Sequence, residues 1–510
     1  EYGLSMLYQN SSDDIDRSVS ERHSTVVIGA GPAGLTAAYE LSRRGRRAIV
    51  LEQDREHVGG IARTVSYKGF RFDIGGHRFF SKNREIEKLW SEVLGERMIE
   101  RERLSRIYYR GRFFKYPLET IDVLRNLGVY ESAACVASYL AARIGPRNEP
   151  QSFEDWVTNA FGRRLYRMFF ESYTEKVWGM PCREISADWA AQRIRDLSMR
   201  TLLTRALSLR RKHGPVIKTL IDRFRYPLHG PGEMWQRFAA ILAERQVPIR
   251  MGESVARIER RHGGVEAVTT LGAAGRRRYA GSHFISTMPI RELIEALTPS
   301  APVEVAAAAR SLRYRDFLTV ALIIDRPDLF PDQWIYIHEP GVHVGRIQNF
   351  RNWSPAMVPD PRYTVLGLEY FCFDSDSLWN ASDAELLAMG TRELAQLGLV
   401  DPALVRDGTV VRQRAAYPVY DGDYRRAVDT IRAFVDRELP NLQLAGRNGM
   451  HKYNNQDHAM MTGLMAAWNV MGGGYDQWRV NGDALYLEED AAEDQTSRMV
   501  PRRLAPSTVL

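Results

Sequence analysis

TVVIGAGPAGL, residues Thr25 to Leu35, runs from β-branched residues straight into glycines. TAAYELSRRG (Thr36–Gly45) follows with a helical pattern, and RAIVLEQD (Arg47–Asp54) is a second apolar, β-branched run. A strand–turn–helix–strand unit of this kind opens a doubly wound, Rossmann-like nucleotide-binding domain. Gly29, Gly31 and Gly34 supply GxGxxG, with Pro32 and Ala33 inside the turn. The first glycine permits the tight turn and the second lets backbone approach a pyrophosphate. The third allows close helix–strand packing, while the helix N-terminus faces the phosphate charge. Glu52, eighteen residues beyond Gly34 and followed by Gln53, is placed to accept the ribose hydroxyls of an adenosine. Alone, GxGxxG is a weak signal that also fits a structural turn. Between a strand and a helix, with the acid in place, it is strong.

The chain has 510 residues, 44% apolar and 26% charged, which fits about three globular domains and excludes a disordered or fibrous chain. No run of about 18 uncharged apolar residues occurs, so no membrane span is expected. Residues 1–23 carry acids without an apolar stretch and read as a disordered arm, not a signal peptide. Cys135, Cys182 and Cys372 are scattered, which excludes a disulfide framework or a zinc ribbon and points to the cytoplasm. No metal site is expected. Between Arg193 and Arg225 ten basic residues face only Asp196 and Asp222. That stretch reads either as a solvated helix face or as a positive field over a cleft for a phosphorylated small molecule. No nucleic-acid motif accompanies it.

The expected architecture is α/β. Segments 24–100, 224–290 and 430–480 form a discontinuous Rossmann-like domain. Residues 101–223 form a mainly helical insertion that serves as a substrate lid. Residues 291–429 form an antiparallel-sheet substrate domain, and 485–510 a loose tail.

GGIART (Gly59–Thr64) and DIGGHRFF (Asp73–Phe80) carry paired glycines suited to backbone passing a long, flat ligand. The pattern resembles the flavoproteins that include amine oxidases, phytoene desaturases and UDP-galactopyranose mutases, which implies FAD. AGR at Ala445–Arg447 resembles that family's second flavin contact. Implied cofactor residues are Gly60, Ile61, Ala62, Gly76, His77, Val255, Gly446, Arg447, Asn455 and Gln456, beside Gly29, Gly31, Pro32, Ala33, Gly34, Glu52 and Gln53.

SYTEKVWGMP (Ser172–Pro181), GRIQNFRNWSP (Gly345–Pro355), AAYPVY (Ala415–Tyr420) and AGRNGMHKYNNQDH (Ala445–His458) resemble, in order, segments of the UDP-galactopyranose mutases. That resemblance implies pyranose–furanose interconversion of a nucleoside-diphosphate sugar without net redox. Reduced FAD is then the nucleophile at the anomeric carbon, and NAD(P)H is a candidate reductant. Arg346 and Arg447 would hold the diphosphate, assisted by Tyr417 and Tyr453, with His77 near the flavin ring. Phe169 or Tyr173 would stack on the base and Trp178 would lie nearer the sugar. Trp334 and Tyr336 would line the sugar pocket, and Arg193 would belong to a closing segment. Glu119 stands where the eukaryotic mutases carry a base-reading glutamine, and Trp353 where they carry Tyr or Phe, so neither base nor sugar follows. An oxidase or desaturase of the amine-oxidase type is the rival reading. A second is a binding protein on this fold that has lost its flavin, as in Rab GDP-dissociation inhibitors. A homodimer stays open.

Overall fold

The β-branched run ahead of the glycines forms the strand Ser20–Ile28, with parallel neighbours on both sides, Ala48–Glu52 and Gly275–Ser286. In this computed structural model the described residues are 20–81, 83–116, 118, 120–144, 149–187, 223–261 and 263–480. Val26 and Val27 have no exposed surface, as a strand covered on both faces requires. The eight-stranded sheet continues through Ile249–Met251 on one side and the Ser254–Arg261 and Gly264–Gly272 hairpin on the other; Leu442–Leu444 joins Gly275–Ser286 from the far end of the chain. Strand formation at Ser20 shortens the expected disordered arm, because Ser20–His23 pair with Arg278–Gly281.

Helix Pro32–Arg43 lies on this sheet and packs along helix Gln456–Val470. The two backbones approach so closely that a Cβ on Gly463 would sit 2.2 Å from the Ala33 carbonyl oxygen. The C-terminal part of the chain thereby locks the N-terminal nucleotide-binding turn.

The second sheet has seven strands in the order Val405–Pro418, Tyr314–Ile324, Thr364–Cys372, Arg346–Asn349, Trp334–Ile337, Ser105–Tyr109, Arg112–Lys115. Two features depart from expectation. Ser105–Tyr109 and Arg112–Lys115 lie inside the stretch expected to be mainly helical, yet their alternating apolar residues complete this sheet. Ser105–Tyr109 also pairs parallel to Trp334–Ile337, so the sheet is mixed. Helices Thr120–Leu127, Val129–Ile144 and Phe153–Phe161 follow, and a π-helical turn at Arg167–Glu171 leads into Ser172–Trp178. Residues 188–222, including Arg193 and most of the basic stretch, lie outside the described residues, as do Glu119 and the expected tail. Arg223 and Arg225 pair with Glu102 and Glu87.

Burial leaves several groups far from their solution ionisation. It pushes His338 down to about 3, with the Lys176 charge adding to the effect, and His451 down to about 4. Asp73, fully buried between Tyr226 and Thr64, goes the other way, up to about 7.

Two outcomes are expected. Gly463→Ala should cost about 2–3 kcal/mol in urea unfolding, since the clash is with backbone. Stability should also fall between about pH 6.5 and 4.5. At His338, His451 and His77, the last also held down to about 3, the folded protein refuses protons that the unfolded chain accepts, about 1.4 kcal/mol per pH unit for each, while Asp73 offsets one of the three. A His338→Asn variant should flatten the slope by one proton's worth in urea unfolding at stepped pH; an unchanged slope contradicts the assignment.

Candidate active site

A cavity of about 1060 Å³ runs between the two sheets. At one end Glu52 closes its strand. Its carboxylate accepts the Ala30 N–H at 2.6 Å and the Asp54 N–H at 2.8 Å, and burial raises its ionisation against those two bonds. Gln53 and Val255 line the same end. The uncapped N-terminus of helix Pro32–Arg43 comes next, with no side chain satisfying its first N–H groups. Gly31 and Gly60 face each other there, and a Cβ on Gly60 would lie 3.4 Å from the Gly31 Cα. Gly29, at φ +98°, has no room for a Cβ beside Thr287, and a Cβ on Gly34 would lie 1.9 Å from the Gly29 carbonyl oxygen. Gly34 thus sits beneath the turn and does not line the cavity.

Pro32, Ala33, Ile61, Ala62, Gly76, His77, Gly446, Asn455 and Gln456 continue the lining. The Gln456 Nε2 donates to the His77 carbonyl at 3.4 Å, while its Oε1 is buried without a partner, as are both amide atoms of Asn454. A side-chain-free slot, an uncapped helix end, a carboxylate at the end of the second strand and unsatisfied buried amides fit a flavin dinucleotide. His77 faces the Arg447 and Arg346 charges; burial first, and Arg447 next, push it down to about 3, so it is neutral.

The other end is charged. Arg346, Gln348 and Trp334 come from adjacent antiparallel strands, Trp334 opposite Gln348 and Tyr336 opposite Arg346. The Arg346 guanidinium donates through Nε to the fully buried Glu369 and through Nη2 to the Tyr417 hydroxyl at 3.2 Å. Gln348 donates to the other Glu369 oxygen at 2.7 Å. Arg447 donates to the Asn454 and Ala416 carbonyls, both at 3.0 Å, and its guanidinium lies 4.7 Å from the Tyr453 ring centre and 5.2 Å from that of Tyr417. Those two rings stack 5.6 Å apart. Trp334 stacks on Trp353 at 5.2 Å, and the Trp353 indole N–H is held by Gln348.

Beside Gly34, three residues expected to bind substrate do not line the cavity. Phe169 and Trp178 are 3% and 2% exposed; Phe169 packs on Tyr109 and Phe114, and Trp178 on Tyr420. Aromatic side chains at helical spacing here fill the core of the helical insertion, which corrects their assignment to base and sugar. Tyr173 stacks on His338 with ring centres 4.8 Å apart and stands edge-on to Tyr336, one layer behind the wall.

Other lining or bracing residues were not anticipated. Gln348 shares the face of Arg346 two residues earlier in the strand, so strand alternation alone exposes it. Glu369 is the one acid within YTVLGLEYF, and a lone carboxylate in a buried strand signals a charged partner. Gln413, which accepts from Arg63 at 2.8 Å, carried no signal.

The sequence profile of the flavin containing amine oxidoreductases matches residues 32–471. Over 174 residues the chain is 27% identical to a probable UDP-galactopyranose mutase of Klebsiella pneumoniae, covering 32% of this chain and 42% of that protein. It is 28% identical over 175 residues to the dTDP-fucopyranose mutase of Escherichia coli, covering 32% and 44%. The matched stretch therefore spans less than half of either mutase. A putative flavin-containing monoamine oxidase of Mycobacterium tuberculosis is 28% identical over 292 residues, 55% of this chain and 60% of that one. Among solved structures, a reduced UDP-galactopyranose mutase superposes with a TM-score of 0.76 at 23% identity over 88% of this chain and 94% of that one. A putative protoporphyrinogen oxidase from Exiguobacterium superposes at 0.67 with 18% identity, over 88% and 98%. At these identities the structural matches speak for the fold, and the profile carries the assignment: the chain belongs to the flavin containing amine oxidoreductase family.

Proposed function

We propose that this protein is a flavin-dependent mutase that interconverts the pyranose and furanose forms of a nucleoside-diphosphate sugar. The observation that carries the reading is the meeting of Arg346 and Arg447 with Tyr417 and Tyr453 at the end of the glycine-lined slot. Two guanidinium groups and two phenols favour a dianionic group and disfavour an ammonium. The mutase relatives point the same way.

Bound and reduced, the flavin supplies a nucleophilic nitrogen for the anomeric carbon. The chain supplies the rest. Arg346 holds the leaving diphosphate against departure, its orientation fixed by Glu369 through Nε. Arg447, anchored by two carbonyls, presents its remaining N–H groups from the opposite side. Tyr417 and Tyr453 offer hydroxyls to the same phosphates. Trp334, stacked on Trp353, gives the sugar a flat apolar face and limits water there. His77 stays uncharged, so it adds no third cation and can serve as a hydrogen-bond partner near the ring. The base has no assigned partner among the described residues lining the cavity.

An oxidase of the amine type is the second reading, favoured by the longer match to the monoamine oxidase. Its amine substrates arrive as ammonium ions, which the field of two arginines repels.

The test is anaerobic. Dithionite-reduced protein is given UDP-, GDP- and dTDP-hexoses, and products are separated by anion exchange. A new nucleotide-sugar peak that appears only under reduction is expected; no peak with any sugar, alongside flavin reduction by an amine, refutes the reading. Arg346→Ala should abolish turnover while FAD stays bound. Because that change strands buried Glu369, Arg346→Lys is the companion variant. It keeps the charge pair and should still lose roughly tenfold or more in kcat/KM.

A further inference from the structure

Strand Val405–Pro418 breaks its ladder beside the cavity. Against Tyr314–Ile324 it pairs residue for residue from Ile323 down to Phe317, opposite Gln413, and pairing resumes with Arg315 opposite Tyr417. Asp316 alone therefore faces three residues, Arg414, Ala415 and Ala416, so the strand bulges by two. At the centre of the bulge Ala415 has φ +49°, a left-handed conformation that glycine or asparagine adopts more readily than alanine. Residues held in this way cluster at functional sites, where the surrounding structure has to impose them.

The ladder does not hold this peptide, and side chains do. The Ala415 N–H donates to the Asp316 carboxylate at 2.8 Å, and the Ala415 carbonyl accepts from the Asn448 amide at 2.8 Å. The next carbonyl, that of Ala416, accepts from Arg447 at 3.0 Å. Asn448 follows Arg447 directly, and its own carbonyl accepts from the Tyr314 hydroxyl at 3.2 Å. Asp316 is 6% exposed and lines the cavity together with Ala415.

The bulge decides where Tyr417 stands. Arg346, Glu369 and Thr319 lie in one row across the sheet. Had the ladder run on without the bulge, Tyr417 would lie opposite Arg313 instead of Arg315, about 7 Å farther from that row. Its hydroxyl, now 3.2 Å from the Arg346 Nη2, would be out of reach. An acid lining this cavity could instead act on the ligand directly, but the sign of that effect is opposite. A carboxylate repels a diphosphate, so its removal would tighten binding, whereas loss of a positioning residue weakens it.

We propose that Asp316 is a positioning residue that, with Asn448, holds the Ala415 bulge so that Tyr417 and Arg447 meet Arg346 around the diphosphate. The choice of ligand rests on the mutase reading; the placement of Tyr417 and Arg447 does not.

The test uses the flavin-loaded full chain and two readouts. In titration calorimetry Asp316→Ala should weaken the binding of inorganic pyrophosphate roughly tenfold, a loss that one strained backbone residue can carry. Asp316→Asn, which removes the charge and keeps an acceptor oxygen, should match the parent's affinity or exceed it. The loss on Asp316→Ala should shrink in an Ala415→Gly background, since glycine adopts the left-handed conformation unaided. Hydrogen exchange of the peptide spanning Gln413–Pro418 reads the hold without any ligand, and it should quicken in Asp316→Ala but not in Asp316→Asn. Tighter pyrophosphate binding by Asp316→Ala overturns the proposal, because it marks the acid as a direct neighbour of the ligand. So do equal losses in Asp316→Ala and Asp316→Asn, an equal loss with and without Ala415→Gly, or unchanged exchange. Where Asp316→Ala does not keep its flavin, Asp316→Asn decides: weakened binding or quickened exchange in that variant overturns the proposal. A parent protein that binds no pyrophosphate refutes the diphosphate reading instead, and the exchange measurement still decides whether Asp316 holds the bulge.

Discussion

The ion pair between Arg346 and Glu369 holds the functional end of the cavity together. Glu369 has no exposed surface, and its two oxygens are divided between the Arg346 Nε and the Gln348 amide. Two charges out of water gain little net stability, but removing either one leaves the other stranded at a cost of about 3–5 kcal/mol. A pair of this kind persists for what it positions. With Nε occupied, the guanidinium is turned so that Nη2 reaches Tyr417, and Tyr417 in turn lies under Arg447. Gln348 passes the constraint on to Trp353 and from there to Trp334. One buried carboxylate therefore orients both the cationic and the aromatic wall.

The second sheet meets the nucleotide-binding sheet through the residues that close the slot. The Gly75–His77 turn follows Asp73, and Gly76 approaches Gln348 so closely that a Cβ would lie 3.0 Å from its amide nitrogen. The loop before helix Gln456–Val470 ties to Arg447 through the Asn454 carbonyl and to the His77 carbonyl through Gln456. Cofactor slot and charged end are thus one continuous construction, made from chain segments hundreds of residues apart.

The nucleotide-binding turn was legible because its chemistry is local. A strand, three glycines, a helix and an acid follow one another between Ser20 and Glu52, and Gly29 and Gly34 have steric reasons visible in the structure. Arg346, Arg447, Tyr417 and Tyr453 could be singled out only through segments resembling a known family, since nothing local distinguishes a ligand-facing arginine from a paired one. Phe169 and Trp178 show the limit of that route. The SYTEKVWG segment forms a helix as read, but a π-helical turn and the packing beneath it turn those rings into the core. Ser105–Lys115 was absorbed into a helical stretch because its partner, Trp334–Ile337, lies more than two hundred residues away. Glu369 left a trace as a lone acid in an apolar strand, although its partner could not be named without the register.

Isothermal titration of the flavin-loaded protein with inorganic pyrophosphate, nucleoside diphosphates and a simple diamine tests most directly whether this end of the cavity is built for a diphosphate. The account predicts that the diphosphates bind and weaken as salt rises, while the diamine gives no heat. Binding of the diamine without any binding of pyrophosphate or nucleoside diphosphates would contradict it.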